Sequence, residues 1–189
     1  MNSFYSTEEL FQLGFKSLGK NVSISRKASI YGAHRIEIGD HVRIDDFSFF
    51  SAGAGGIKLG SYIHISPFCS LAGQGAIVLQ DFSGLSSRVA IYSSSDDYSG
   101  SSLTNPTIPS AYKKVIHADV ILHKHVIIGA GSIILPGVTI GEGTAIGALS
   151  LVSKSVEAFK IATGNPIRVI KERKHDILEL EWRLKKDLQ

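Results

Sequence analysis

The chain has 189 residues, of which 43% are hydrophobic and 20% are charged, a composition typical of one globular domain rather than a disordered segment. Its formal net charge of +3 is too small to indicate a nucleic-acid or membrane-surface partner. A single cysteine, Cys69, excludes an internal disulfide framework, and neither a membrane-span pattern nor a signal-peptide pattern is present, so we expect a cytoplasmic protein.

The first segment of the chain predicts a short helix. Ser6 or Thr7 is a candidate N-cap in front of Glu8 and Glu9, and the helix is expected to extend from Ser6 to Phe15. We expect residues 1–17 to form a helical cap on the domain that follows.

A six-residue period then runs through most of the chain. The first half contains four triples of apolar residues, each with a step of six: Leu18, Ile24, Ile30; Ile38, Ile44, Phe50; Leu59, Ile65, Leu71; and Leu79, Leu85, Ile91. The later half continues the period without a break at Leu122, Ile128, Ile134, Ile140, Ile146 and Val152. Extra residues always follow a third hexad, which is typical of a coil with three short faces and one longer corner.

These repeats predict an all-β fold, a parallel β-helix of about six triangular coils over residues 18–173. The apolar residues should form ladders inside the prism. The period does not determine the hand of the coil.

One long insertion interrupts the repeats at residues 92–116. It is rich in Ser, Asp, Asn, Pro and Gly, which is the composition of an extruded loop. A loop this long in a compact domain is usually functional or disordered, and we favour a functional loop because it leaves from the corner that holds the other extra residues.

The tail, residues 174–189, predicts a second helix. Ile177, Leu180, Leu184 and Leu188 have helical spacing and define one apolar side. We expect this side to pack on the last coil or on another subunit.

Residues 126–173 resemble the hexapeptide-repeat acyltransferases. The resemblance rests on VIIGAGSIILPGVTIGEGTAIGALSLVSKSV and on Gly164-Asn165-Pro166 followed by Arg168, and it is to maltose and galactoside O-acetyltransferases and surface-polysaccharide acetyltransferases. It implies a left-handed β-helix and a homotrimer that moves an acetyl group from acetyl-CoA to a sugar or nucleotide-sugar hydroxyl or amino group. It implies a role in polysaccharide or nucleotide-sugar biosynthesis, with no nucleic acid or membrane span involved.

The same resemblance implies a set of residues that bind coenzyme A. Small residues would let the pantetheine arm approach the backbone, and basic residues would meet the phosphates. The positions carried over are Ala130, Ala148, Ser153, Lys154, Gly164, Arg168 and Lys171.

The catalytic base departs from the family pattern. The maltose and galactoside enzymes have a histidine where this chain has Asp96, in the segment IYSSSDD. A carboxylate with the usual pKa of about 4 is a poor base for an alcohol unless burial raises its pKa. Asp96 or Asp97 could still be the base, or His64, which aligns with an acceptor-pocket position, could replace it.

The base and the acceptor both stay open at this point. His117, His123 and His125 cluster after the loop and could supply a base, or the acceptor could be an amine, which needs less base assistance. Residues of suitable chemistry to bind the acceptor are Ser94, Ser95, Tyr98, Asn105 and His117.

Two further classes of function compete with the acyltransferase. A metal enzyme of the gamma-carbonic-anhydrase kind uses the same prism with histidines on zinc, and His117 and His123 suggest this second class. A non-catalytic scaffold is the third class. The acyltransferase hypothesis involves no metal, and the long loop together with the Gly-Asn-Pro ending favours it.

Overall fold

The structure, a computed structural model, describes residues 3–188. Its body is a parallel β-helix in which each coil contributes one short strand to each of three faces. Coil one contains β1 (Ser17–Leu18), β2 (Ser23–Ile24) and β3 (Ser29–Tyr31); coil two β4 (Ile36–Ile38), β5 (Arg43–Ile44) and β6 (Phe49–Ala52); coil three β7 (Ile57–Leu59), β8 (His64–Ile65) and β9 (Ser70–Gly73); coil four β10 (Ile77–Leu79), β11 (Gly84–Leu85) and β12 (Ala90–Tyr92).

The remaining strands include two that form a ribbon outside the prism. That ribbon is β13 (Ser94–Ser95) paired antiparallel with β14 (Ile116–His117). Coil five contains β15 (Val120–Leu122), β16 (Ile127–Ile128) and β17 (Ile133–Ile134); coil six contains β18 (Thr139–Ile140), β19 (Ala145–Ile146) and β20 (Leu151–Val152). An incomplete seventh coil adds β21 (Lys160–Thr163) to the second face, and β22 (Arg168–Glu172) folds back antiparallel to β21.

The core is a set of apolar ladders along the prism axis. Every predicted rung residue is buried except Leu18 and Ile30, which lie in the terminal coil and pack partly exposed against the core. In-register pairing aligns Leu59 with Leu79, and Leu79 with Leu122. Burying one Leu or Ile side chain contributes about 1.5–3 kcal/mol, so stacked coils supply the stability that a single coil lacks. The predicted β-helix of six triangular coils is confirmed.

The first and second corners of the prism turn through left-handed residues. The first-corner ladder, between the first and second faces, is Asn21, His41, Tyr62, Phe82, His125, Gly143 and Phe159; the second-corner ladder, between the second and third faces, is Phe47, Phe68, Arg88, Gly131 and Leu149. These residues have φ between 53° and 71°, a region that costs a non-glycine residue about 1 kcal/mol. The amide of a ladder residue donates to a carbonyl of the preceding coil, for example Tyr62 to Asp40 and Phe68 to Asp46, which offsets the cost.

The third corner holds the extra residues. Residues 53–56 connect β6 to β7, residues 74–76 connect β9 to β10, and the long excursion between β12 and β15 leaves from the same corner. The prediction that the insertion shares a corner with the shorter ones is confirmed.

Both helices are shorter than predicted. Helix α1 spans Thr7–Gln12 with Ser6 as its N-cap in a capping box with Glu9, and it ends early because Gly14 takes a left-handed conformation. Helix α2 spans Asp176–Asp187. Neither of these two helices of the described chain is long and apolar enough to cross a membrane.

Helix α2 turns a different side toward the prism from the one predicted. Leu180, Leu184 and Leu188 are 58%, 40% and 61% exposed, and of the predicted apolar side only Ile177 is partly buried. Glu181 makes the contact instead, with its Oε2 lying 2.5 Å from Nε2 of His125. The predicted apolar side therefore does not pack on the last coil, because ion pairs, which hydrophobic spacing does not show, orient this helix. Its packing on another subunit stays a prediction.

Candidate active site

A cleft opens where the extruded segment leaves the third face. The ribbon of β13 and β14 aligns Ser94 with His117 and Ser95 with Ile116, and so closes the base of the excursion. Beside this ribbon lies a cleft of about 650 Å³ lined by Tyr92, Ser94, Ser95, Asp96, Tyr98, Ile133, Leu135, Pro136 and Leu151. The structure therefore brings together four of the sequence-predicted site residues: Ser94, Ser95, Asp96 and Tyr98.

The two walls of the cleft differ in chemistry. The ribbon side carries hydroxyls and the Asp96 carboxylate. The opposite side is apolar, because it is formed by outward side chains of coils five and six, among them Ile133 and Leu151. An acidic group that faces an apolar wall is suited to a reaction in which a proton moves beside a poorly solvated substrate.

Asp96 supplies a carboxylate to the cleft and is less engaged within the loop than its neighbour Asp97. Its contact within the loop is a long hydrogen bond, in which the backbone N–H of Asn105 donates to Oδ2 at 3.4 Å. The side chain is half-buried. Its oxygens are thus available to accept a proton from a molecule in the cleft.

Asp97, one residue later, is engaged within the loop. It accepts hydrogen bonds from the Ser99 amide at 2.8 Å and from the Ser101 and Ser102 hydroxyls at 2.8 and 3.0 Å. These bonds hold the pKa of Asp97 well below its usual range. A carboxylate stabilised in its charged form is a weaker base, so the structure favours Asp96 over Asp97.

The other acceptor-site candidates hold the loop together. The Ser94 hydroxyl accepts from the backbone N–H of Gln74 at 2.8 Å and lies 2.8 Å from Nδ1 of His117, so Ser94 and His117 fasten the ribbon to the prism. Ser95 donates to the Asp96 carbonyl. Asn105 orders its own turn through Thr107, whereas Tyr98 is 93% exposed at the rim of the cleft.

His64 lies on another face of the prism. It is in β8 on the second face, with Nε2 2.7 Å from Oδ2 of Asp45. Burial alone raises the pKa of Asp45, but hydrogen bonds from His64 and Arg43 outweigh it and the pKa is lowered. His64 does not line the cleft of its own chain.

The three histidines after the loop are not a cluster in space. His117 belongs to the ribbon, His123 contacts Gln80 with Nδ1 3.1 Å from Oε1, and His125 belongs to the first-corner ladder. Neither His123 nor His125 reaches the cleft. Within residues 3–188, no three His, Cys, Asp or Glu side chains are grouped so that they could hold a metal ion.

Three of the seven cofactor candidates line up along the second corner. Ala130 and Ala148 occupy this corner in coils five and six, and the Leu149 amide donates to the Ala130 carbonyl at 2.9 Å. Gly164 continues the line in the seventh coil, where its carbonyl accepts from the Leu151 amide. The backbones of adjacent coils approach closely here, since a Cβ on neighbouring Gly129 would lie 2.4 Å from the Ala148 backbone nitrogen.

The other four cofactor candidates are spread out. Arg168, in β22, pairs with Thr163 of β21 and so lies close to Gly164. Lys171 lies toward the other end of β22, where it pairs with Ile161. Ser153 and Lys154 are exposed after β20, at the far edge of the third face. A ligand as long as coenzyme A would be needed to contact both groups.

The apolar wall of the cleft was missed by sequence reasoning. Ile133, Leu135, Pro136 and Leu151 lie about 40 to 55 positions after Asp96, so no local motif joins them to it. The available signal was the coil register: β12 pairs with β17, and β17 pairs with β20, which places Ile133 and Leu151 next to the start of the loop.

The chain matches known transferases along its length. Residues 115–154 match the family model described as bacterial transferase hexapeptide (six repeats). A dTDP-4-amino-4,6-dideoxy-D-glucose acyltransferase of Escherichia coli is 51% identical over 173 residues, which cover 92% of this chain and 90% of that protein.

Solved structures agree with this similarity. AntD, an N-acyltransferase from Bacillus cereus in complex with dTDP and 3-hydroxybutyryl-CoA, has a TM-score of 0.95 and 52% identity, and the match covers 100% of this chain and 99% of that one. Variants of AntD, solved with dTDP and coenzyme A, replace an aspartate and a serine ten positions before it. A maltose O-acetyltransferase from Clostridium difficile 630 shares the fold, with a TM-score of 0.62 and 24% identity over 89% of this chain and 75% of its own.

Proposed function

This chain belongs to the hexapeptide-repeat acyltransferases, and from this premise we propose that it acylates the amino group of a dTDP-linked 4-amino-4,6-dideoxy sugar. It is an acyl-CoA-dependent sugar acyltransferase, with acetyl-CoA as the acyl donor. The observation that carries the amine acceptor is Asp96, a cleft carboxylate whose contact within the loop is one long hydrogen bond, at the position where the maltose and galactoside enzymes have a histidine.

A carboxylate suits an amine better than an alcohol for a chemical reason. A neutral amine attacks the thioester carbonyl unaided, forming the C–N bond, and only then becomes an acidic ammonium. Asp96 would accept that proton as the C–S bond breaks and the coenzyme A thiolate leaves to be protonated. An alcohol, in contrast, must lose its proton during attack, which requires a stronger base.

The comparison with AntD supports the same assignment. The two substituted AntD positions are a serine and an aspartate ten residues apart. Ser86 and Asp96 have that separation here, as do Ser87 and Asp97. The loop contacts of Asp97 favour the first pair.

The donor would lie along the second corner of the C-terminal coils. Ala130, Ala148 and Gly164 leave room for the pantetheine arm, and Arg168 beside them can pair with phosphate. The apolar wall at Ile133 and Leu151 would exclude water from the thioester. Ser153, Lys154 and Lys171 remain candidates for the outer parts of the cofactor.

We also infer a homotrimer in the cytoplasm that serves surface-polysaccharide or nucleotide-sugar synthesis. Outward side chains on the third face are apolar and exposed, as at Tyr31, Phe49, Tyr92 and Ile133, and such a surface is suited to a second copy of the chain. His64, remote from the cleft of its own chain, could then border the cleft of a neighbouring copy. The free, buried Cys69 is compatible with a reducing compartment.

The test is thiol release from acetyl-CoA in the presence of dTDP-4-amino-4,6-dideoxyglucose. We expect turnover with this acceptor and none with the matched 4-hydroxy sugar nucleotide. Asp96→Asn should lower kcat by about 10²-fold or more, whereas Asp97→Asn, the neighbouring control, should change mainly the stability of the loop. Turnover of the hydroxy sugar alone would overturn the amine acceptor, and a large loss in Asp97→Asn alone would move the base to Asp97.

A further inference from the structure

The second-corner ladder carries two stacked phenylalanines between two cations. The rings of Phe47 and Phe68 lie 5.1 Å apart at 19°. Lys27 Nζ is 5.4 Å from the Phe47 centroid, and the Arg88 guanidinium carbon is 5.3 Å from the Phe68 centroid. The result is an aromatic and basic strip along coils one to four.

This strip is open to solvent in the described chain. Phe47 and Phe68 are 52% and 50% exposed. In the first-corner ladder the equivalent rings of Tyr62 and Phe82 are only partly exposed, and Lys185 of α2 lies 5.8 Å from the Phe82 centroid. Exposed aromatic side chains that form one contiguous strip indicate a binding site.

The charge on the strip is carried by Arg88. Lys27 is neutralised by Asp46, whose Oδ2 lies 2.9 Å from its Nζ, and nearby Asp45 is paired with Arg43 and His64. Among residues 3–188, Arg88 has no carboxylate within ion-pair distance. Its guanidinium is therefore the group free to pair with an anion.

An aromatic strip beside a free guanidinium suits a nucleotide. A nucleobase that lies flat on the exposed ring edges would contact Phe47 and Phe68 edge to face, which is a favoured aromatic geometry. A guanidinium binds phosphate oxygens through two parallel hydrogen bonds, which are stronger than its contact with an exposed ring.

The position of the strip along the second corner is also compatible with a nucleotide site. Coils are about 4.8 Å apart, so Phe68 lies one coil from Ser86, and Phe47 lies two coils from it. Ala130 and Ala148 occupy the same corner on the other side of Ser86. A donor on the C-terminal coils and a nucleotide on the N-terminal coils would approach one another from opposite directions along this corner.

We propose that Phe47, Phe68 and Arg88 form the subsite for the nucleoside diphosphate part of the acceptor, with the rings against the base and Arg88 on the diphosphate. This inference rests on the proposed function and names the residues that would select a nucleotide-linked sugar over a free sugar.

The experiment measures binding of dTDP and of thymidine to the full-length protein by calorimetry, with the molecular mass from light scattering. Phe68→Ala should weaken binding of both ligands by about tenfold. Arg88→Ala should weaken dTDP by about tenfold and leave thymidine unchanged. Tyr62→Ala is the matched control, because it removes a stacked ring from the same coil at φ 59° against 64° for Phe68, and its dTDP affinity should stay within twofold.

The outcomes distinguish an error in the proposed subsite from an error in the proposed acceptor. If the unchanged protein fails to bind dTDP, the nucleotide-sugar acceptor itself is wrong. If it binds dTDP and both Phe68→Ala and Arg88→Ala bind it equally well, only the subsite is wrong. Loss of dTDP binding together with a fall in mass would show instead that a second copy of the chain covers the strip. Arg88→Ala, at an exposed position, keeps the test valid if Phe68→Ala does not fold.

Discussion

The two left-handed corners of this prism have the same backbone but different surroundings. In the first-corner ladder, rings stack in succession, with centroids 4.7 Å apart from His41 to Tyr62 and 5.1 Å apart from Phe82 to His125. Its C-terminal end is covered by α2, through Glu181 on His125 and through His175 stacked on Phe159. The second-corner ladder has two stacked rings, a free guanidinium and an exposed leucine.

The difference shows that a repeated turn can serve two purposes. Both corners need left-handed residues, because the chain turns from one face to the next within four residues while the amides still bond the preceding coil. Once that geometry is fixed, the side chain is free to vary. At the first corner it is used to attach a helix, and at the second it is left available to a ligand.

The largest effect that would sharpen this comparison is expected from glycines in the two ladders. A Cβ on Gly143 would lie 2.4 Å from the Phe159 ring, which His175 holds in place, whereas a Cβ on Gly131 would meet only the end of the exposed Leu149 side chain at 2.8 Å. Gly143→Ala should lower the free energy of unfolding by about 3 kcal/mol. Gly131→Ala should lower it by about 1 kcal/mol.

Denaturant unfolding of the two alanine variants measures this difference. Equal losses would mean that the packing of Phe159 under α2 does not restrict the first corner, and the contrast between the ladders would fail.

A smaller effect is expected from the ion pairs that attach α2. Burial alone raises the pKa of Glu181, but hydrogen bonds from Lys185 and His125 and the charge of Lys124 outweigh it, and the pKa falls from 4.5 to about 2. Because the folded-state pKa is the lower one, this carboxylate stabilises the fold above about pH 4.5, and its contribution is lost as the pH falls toward 2. Glu181→Gln should cost about 2 kcal/mol at pH 7 and almost nothing near pH 2.

The control for this prediction is Glu179→Gln, which removes an exposed carboxylate paired with Arg183 on the same helix. It should change stability little at either pH. Unfolding midpoints measured at pH 7 and at pH 2 test this prediction, and a pH-independent loss in Glu181→Gln would rule out an electrostatic attachment.

The smallest effect concerns Leu149, the last residue of the second-corner ladder. It is 78% exposed with φ 57°, so its backbone is strained and its side chain gains little from burial. Leu149→Asn should raise the free energy of unfolding by about 0.5 kcal/mol, because asparagine tolerates this conformation better. A melting temperature that falls instead would show that Leu149 is covered in solution and that the second corner is less open than it looks.

Much of the fold was predictable because its information is local. Ile65, Leu71 and their equivalents had to be apolar at every sixth position, and the extra residues after each third hexad could be counted directly. The end of α1 and the orientation of α2 were predicted less well, since Gly14 and the contacts of Glu181 act outside the apolar period.

The site was predictable only in part, for a different reason. Asp96 could be located from the family pattern. Its advantage over Asp97 depends on which carboxylate the Ser99, Ser101 and Ser102 groups engage. The apolar wall at Ile133 and Leu151 comes from coils that follow the loop, so it appears only when the coils are stacked.

The sequence by itself determined a three-sided prism, its coil count and the corner from which the long segment leaves, because each of these follows from the spacing of apolar residues along the chain. Only the tertiary structure decided which carboxylate faces the cleft, which side of α2 meets the prism and which ladder stays uncovered. These features depend on contacts between residues in different coils, on side-chain direction and on the balance of burial against charge, and a one-dimensional period contains none of that information.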